Sequence, residues 1–227
     1  MKKLKAFDVI GPVLIGPSSS HTAGACAIAL AGRKIVGKEF SQVDFHLHGS
    51  FKATYRGHGT DMALVAGICG IGPQDERMRN AFTIAAEAGI EYRFLPADLG
   101  EVHPNTVRMD FTLEGGELIS VTGSSVGGGS IEIIAINDIE ISFDNSFPTL
   151  ILQYHEQRGI ISYVSTILSG RGYNIESMET KKEEDLVTLV VETTEALADD
   201  VVEEILGSEA FIFGKYIDLI KGEEIHD

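Results

Sequence analysis

Five short stretches carry side chains suited to polar chemistry: Ser18-Ser19-Ser20-His21-Thr22, His48-Gly49-Ser50, Gly57-His58-Gly59-Thr60-Asp61, His103-Pro104-Asn105-Thr106 and Gly123 to Ser130. The first follows Gly16-Pro17 and runs into Ala23-Gly24-Ala25-Cys26-Ala27-Ile28-Ala29-Leu30, a row of small and apolar residues. Proline and hydroxyl residues ahead of such a row are helix-start signals. A helix's first turn has N–H groups without intrahelical partners and a partial positive charge, which suits a carboxylate. Ser18, Ser19, Ser20 and Thr22 add hydroxyl donors there, and His21 adds a group that titrates near neutral pH. One serine would be a cap and nothing more; three followed by His and Thr point to a binding site.

His21, His48, His58 and His103 each lie in a turn bearing Gly, Ser or Pro. Each alone reads as structural. Together they imply a shared cleft whose groups transfer or position protons. Asp61 and Asn105 are candidates to orient them, and Ser50 and Thr60 extend the binding hydroxyls. Thr60 or Asp61 is also expected to cap the apolar helix that follows. Val43, Phe45 and Leu47 alternate with Asp44, His46 and His48, the pattern of a strand with one apolar face. His46-x-His48 is then a conceivable metal pair, but no further ligand cluster accompanies it, so no metal site is assigned in this chain. The Gly123–Ser130 stretch is expected to bend a hairpin; it lacks the lysine and spacing of a phosphate loop.

The elements that position these groups fall into two parts, divided near Asn145-Ser146-Phe147-Pro148. Before this turn the chain is rich in motifs; after it, apolar periodicity dominates. Thr149–His155 reads as a strand, Gly159–Ser169 as a helix and Tyr173–Glu179 as a strand. Lys182–Asp185 reads as a turn, Leu186–Glu192 as a strand, Ala196–Leu206 as a helix and Phe211–Ile220 as a last strand. The order βαββαβ is the ferredoxin-like arrangement.

The chain has 227 residues, 44% hydrophobic, with a net charge of −16, enough for one large or two modest domains with real cores. So acidic a surface disfavours nucleic acid and anionic membranes. No apolar run of about 18 residues is present, and the N-terminus has no signal-peptide core, so a cytoplasmic protein is expected. Cys26 and Cys69 are the two cysteines, too few to hold a four-iron cluster.

Gln157-Arg158-Gly159-Ile160 through Tyr173-Asn174-Ile175 resembles the ACT domain, a regulatory module of amino-acid enzymes. The resemblance implies self-association and an effector site at Arg158, Gly159, Ile160, Asn174 and Ile175. Phe7-Asp8-Val9-Ile10-Gly11-Pro12, the Ser18–Gly24 run, His48-Gly49-Ser50, Gly57–Asp61 and His103-Pro104-Asn105 together resemble, in order, the beta chain or beta domain of bacterial iron–sulfur L-serine dehydratases. The first part also resembles the allosteric-substrate-binding domain of some phosphoglycerate dehydrogenases. The fold implied is α+β: an N-terminal α/β sandwich-like domain over residues 1–145 and an ACT domain over 147–222.

The resemblance implies β-elimination of water from L-serine, giving pyruvate and ammonia. It implies a [4Fe–4S] cluster held by a separate alpha subunit, since this chain matches no cluster-ligand pattern. No pyridoxal phosphate is implied. Ser18, Ser19, Ser20, Thr22, Ser50 and Thr60 would then bind substrate, and His21, His48, His58, His103, Asp61 and Asn105 would serve catalysis. A non-catalytic amino-acid-binding regulator is the competing reading, and a zinc hydrolase using His46 and His48 is a third.

Overall fold

The computed structural model describes residues 18–219; the Phe7–Pro12 motif, Gly16-Pro17 and the expected strand end at Ile220 lie outside them. The described chain forms two compact units that divide between Asp144 and Asn145. It is a mixed α+β structure with two sheets. Among the described residues no helix is long and apolar enough to cross a membrane.

The first unit begins with a π-helical turn, Ser19–Gly24, continuous with α1 (Ala25–Val36). Then come β1 (Phe40–Leu47), α2 (Gly49–Thr54), α3 (Thr60–Ile68), a 3-10 turn (Glu76–Asn80), α4 (Ala81–Glu87) and β2 (Glu91–Pro96). β3 (Thr106–Leu113), β4 (Leu118–Gly127), β5 (Ser130–Ile136) and β6 (Ile139–Phe143) complete it. The sheet order is β2-β1-β3-β4-β5-β6, with β1 and β2 parallel and the other pairs antiparallel.

The pleat sorts the side chains by type. Val43, Phe45, Leu47, Val107, Met109, Phe111 and Val121 are buried on one face. Burying a side chain of this size contributes roughly 1.5–3 kcal/mol. Polar Asp44, His46, Arg108 and Asp110 alternate with them. The small residues of α1 let it lie close to its neighbours. A Cβ on Gly123 of β4 would meet Ile28 at 2.7 Å, and one on Gly32 would meet Met109 at 2.6 Å. A Cβ on Gly67 of α3 would meet the Cys26 carbonyl at 2.5 Å, so α3 packs on α1 as tightly.

Two expectations are corrected here. Gly123-Ser124-Ser125 is not loop but strand, and the bend is confined to the glycines at its end, because Gly123 is where α1 approaches β4. α3 is not capped by Thr60 or Asp61; Gly59 holds the cap position, and Thr60 is the first helical residue, fully buried.

The second unit comprises β7 (Thr149–His155), α5 (Ile160–Gly170), β8 (Ile175–Glu183), β9 (Leu186–Thr193), α6 (Asp199–Leu206) and β10 (Phe213–Ile217). The sheet order β10-β7-β9-β8, antiparallel throughout, is the ferredoxin-like arrangement. Leu150, Leu152, Tyr154, Val187, Leu189 and Val191 pack against Ile160, Val164 and Leu168 of α5 and Val201 and Ile205 of α6. β8 starts later than expected because Tyr173 closes α5, its N–H donating to the Leu168 carbonyl at 2.9 Å. α6 starts at Asp199 because the Leu197 and Ala198 N–H groups donate instead to the Tyr216 and Tyr173 hydroxyls.

Candidate functional site

The π-helical turn sets His21 between two serines. Ser18 is the extended N-cap, and its hydroxyl accepts from the His21 N–H at 3.3 Å. The same hydroxyl lies 3.4 Å from His21 Nδ1, and Ser50 Oγ lies 2.9 Å from His21 Nε2. A neutral imidazole has one donor and one acceptor nitrogen, so the ring can pass a proton between the two hydroxyls. The His58 ring stands edge-on to it at 4.9 Å between centroids, and Phe51 at 5.4 Å. Burial, reinforced by the nearby His58, holds the His21 imidazole below its ordinary value of 6.5. At neutral pH it is uncharged and able to accept a proton.

The turn itself is built into the sheet. A Cβ on Gly24 would lie 2.0 Å from Ser125 Oγ, so only glycine lets the turn sit on β4. The Thr22 hydroxyl donates to the His58 carbonyl at 3.2 Å, which ties the turn to the loop before α3. Single π turns within helices recur at functional sites, where the extra residue re-aims side chains.

A second pair of loops meets the turn through Ser50. The His48 N–H donates to the Thr106 carbonyl at 3.0 Å and the Ser50 N–H to the Pro104 carbonyl at 2.8 Å. Gly49, at φ +49, approaches Pro104 so closely that a Cβ would lie 2.6 Å from its carbonyl oxygen. The Asn105 carbonyl in turn accepts from the Ser125 N–H at 2.9 Å. All five motifs therefore adjoin one another through named contacts.

The individual side chains have different duties. His21, Ser18, Ser50 and His58 form the centre. His48 stands beside it, its Nδ1 accepting from the Leu99 N–H at 3.1 Å. His103 is exposed, and its Nδ1 accepts from the Asn105 N–H at 3.1 Å, shaping its own loop. Ser19 is exposed and Ser20 half-buried at the turn. The Asp61 carboxylate accepts from the Met62 N–H at 2.9 Å, and burial pushes its pKa up. Thr60 and Ser125 are fully buried, and among the described residues their hydroxyls have no hydrogen-bond partner. Phe51 and Ser125 were not singled out from sequence. Phe51 gave no chemical signal, and Ser125 stood in a glycine-rich row that read as a bend.

The site is open. One depression beside α2 is lined by His48, Gly49, Lys52, Ala53, Ala97 and Asp98, another by Thr54, Tyr55, Arg56, Gly57 and His58.

The cysteines do not suit an iron–sulfur cluster. The Cys26 thiol is fully buried, donates to the Ile71 carbonyl at 3.1 Å and is pushed by burial up to about 12. Burial raises Cys69 as well. Cluster iron is bound by thiolates, so these two thiols are poor ligands. Among the described residues no three His, Cys, Asp or Glu side chains gather to hold a metal. His46 lies 3.1 Å from Asp110 while His48 engages Leu99, so the His-x-His pair is divided between separate partners.

In the second unit, Arg158 and Gly159 precede α5, whose first residue Ile160 is buried. His155, at that end of β7, is level with Leu186 and Glu183. Ile175, beside Asn174, is level with Thr193 at the other end. At about 3.4 Å per residue the two groups stand roughly 24 Å apart along the sheet, so one copy does not bring them together.

A family model described as serine dehydratase beta chain matches residues 6–95, which include the first three motifs. The chain is 48% identical over 222 residues to the L-serine dehydratase, beta chain, of Peptoniphilus asaccharolyticus, covering 96% of this chain and 100% of that one. It is 37% identical over 207 residues to the probable L-serine dehydratase, beta chain, of Bacillus subtilis (strain 168), covering 90% and 94% respectively. A solved structure similar to part of it is the ACT domain from GTP pyrophosphokinase of Chlorobium tepidum, with 8% identity and a TM-score of 0.27, covering 31% of this chain and 84% of that one. The strand order β10-β7-β9-β8 of the second unit carries its ferredoxin-like fold.

Proposed function

Because this chain belongs to the serine dehydratase beta-chain family, we propose that it is the substrate-handling half of a two-chain L-serine dehydratase. The observation that carries this reading is the neutral His21 imidazole held between the Ser18 and Ser50 hydroxyls and faced by His58. The reaction removes the Cα proton and the β-hydroxyl of L-serine as water. The resulting enamine becomes an imine, and water hydrolyses that to pyruvate and ammonia. His21 is assigned to hold and move the proton, with Ser50 as its relay on Nε2. Ser18 and Ser20 orient the substrate from the turn. Thr22 is assigned to positioning, since its hydroxyl is engaged by the His58 carbonyl.

These residues supply no acid for the departing hydroxyl. We assign that half of the site to an alpha chain carrying a [4Fe–4S] cluster, because Cys26 and Cys69 are unsuited to ligate one. The second unit is read as an ACT domain, whose separated Gly159 and Asn174 ends would form an effector site only between two copies.

Anaerobic assay of pyruvate from L-serine tests the assignment, using this chain alone and mixed with the cluster-bearing alpha chain. Only the mixture is expected to turn over. Activity of this chain alone contradicts the two-chain reading. L-serine binding with a silent mixture favours the regulatory one.

A further inference from the structure

The proposed site has hydroxyls and a neutral imidazole, but its substrate carries a full negative charge. The Ser18 hydroxyl is engaged by the His21 N–H, Ser50 adjoins the His21 ring and Thr22 serves the His58 carbonyl. None of these supplies a formal positive charge. The chain has 34 acidic residues against 18 basic ones, and several of its arginines are engaged by other groups. Arg33 donates to the Ile68 carbonyl, Arg77 pairs with Asp75, Arg93 with Asp44, Arg108 with Asp110 and Asp138, and Arg171 with Asp200 and Glu204.

Arg56 stands beside the candidate site. Among the described residues no carboxylate makes a close ion pair with it, although its charge acts on Asp61, whose carboxylate accepts from the Met62 N–H. It is exposed, two residues before His58, and lines the same open depression. Its guanidinium lies 5.4 Å over the Tyr55 ring, a contact that restricts it while leaving its donors available. Lys52 lines the other depression together with Asp98, so it is the weaker candidate. A guanidinium free of a close ion pair matches a carboxylate through two parallel N–H donors.

We propose that Arg56 binds the α-carboxylate of the substrate and selects free amino acids over their uncharged carboxyl derivatives. The proposal rests on the reading of this chain as the substrate half of the dehydratase.

The test uses the complex with the alpha chain, comparing the parent with Arg56→Met and Arg56→Lys on L-serine and L-serinamide. Met keeps an unbranched stem against Tyr55. For Arg56→Met, KM for L-serine is expected to rise on the order of 10- to 100-fold, from loss of a charge-assisted pair. kcat/KM for L-serinamide is expected to stay within about 3-fold of the parent. Arg56→Lys is expected to recover part of the L-serine KM, since it keeps the charge and loses the fork. An unchanged L-serine KM in Arg56→Met overturns the proposal, as does an equal loss on both substrates. Calorimetric titration of L-serine into the same complexes decides the role of Arg56 whether or not the parent turns over. A parent that binds L-serine but forms no pyruvate counts against the dehydratase reading alone.

Discussion

Replacing Gly24 with alanine tests how the His21 turn is seated. In a helix this exchange ordinarily stabilises by about 1 kcal/mol. Here the new Cβ would lie 2.0 Å from Ser125 Oγ and 2.7 Å from Ser125 Cβ, far inside the roughly 3.5–4.0 Å of ordinary carbon contact. Ser125 is fully buried on β4, so it has little room to yield. Overpacking of this kind costs about 1–3 kcal/mol and should outweigh the propensity gain, leaving a net loss of up to about 2 kcal/mol. At about 2–4 °C per kcal/mol for a chain of this size, the melting temperature should fall by up to about 8 °C. Ser125→Gly in the same background removes both clashing atoms and should restore most of the loss. Ser125→Ala alone should be neutral or slightly stabilising, since it deletes a buried hydroxyl that has no partner among the described residues. Thermal and urea denaturation of these variants, with Ser125→Gly alone closing the cycle, measures the coupling. If Gly24→Ala is as stable as the parent, or if Ser125→Gly gives no recovery, the seating of the turn on β4 is wrong.

Further outcomes follow from the protonation of the site and the chemistry of the thiols. His21 binds its proton more weakly folded than unfolded, so its contribution to stability is present above its ordinary value of 6.5 and declines as pH falls below it. The acid limb of kcat/KM should accordingly lie below 6.5, and His58→Ala, by removing the second cause of the shift, should move that limb upward; a downward move would contradict the pairing. Cys26 should resist alkylation in the native chain, and Cys26→Ala with Cys69→Ala should leave the iron content of the two-chain complex unchanged, whereas loss of iron would make one of them a ligand.

Much of the fold was legible because its periods are clean. Val43, Phe45 and Leu47 alternate, and Thr149–His155 is the strand its composition implies. The less legible parts depended on tertiary contacts. Gly123-Ser124-Ser125 reads as a bend until α1 is seen resting on Gly123. The three residues before Asp199 look helical, yet two tyrosine hydroxyls on other elements hold the N–H groups of Leu197 and Ala198.

The site shows the same division. Motif spacing brought out His21, Ser18, Ser50 and His58, which meet. It could not distinguish them from His103, whose ring is turned to its own loop, or from Thr60, which is sealed in the interior. Nor could it reveal that, among the described residues, Arg56 makes no close ion pair while its charge acts on Asp61, because pairing is a property of neighbours in space.

The most direct test of the central claim is pyruvate formation by the anaerobic two-chain complex with His21 replaced by alanine or asparagine. Loss of a positioned proton-transfer group should lower kcat by about 100-fold or more, with complex assembly and iron content unchanged. Near-parental turnover in both variants would contradict the assignment of His21, held between Ser18 and Ser50, as the proton-handling centre of this chain.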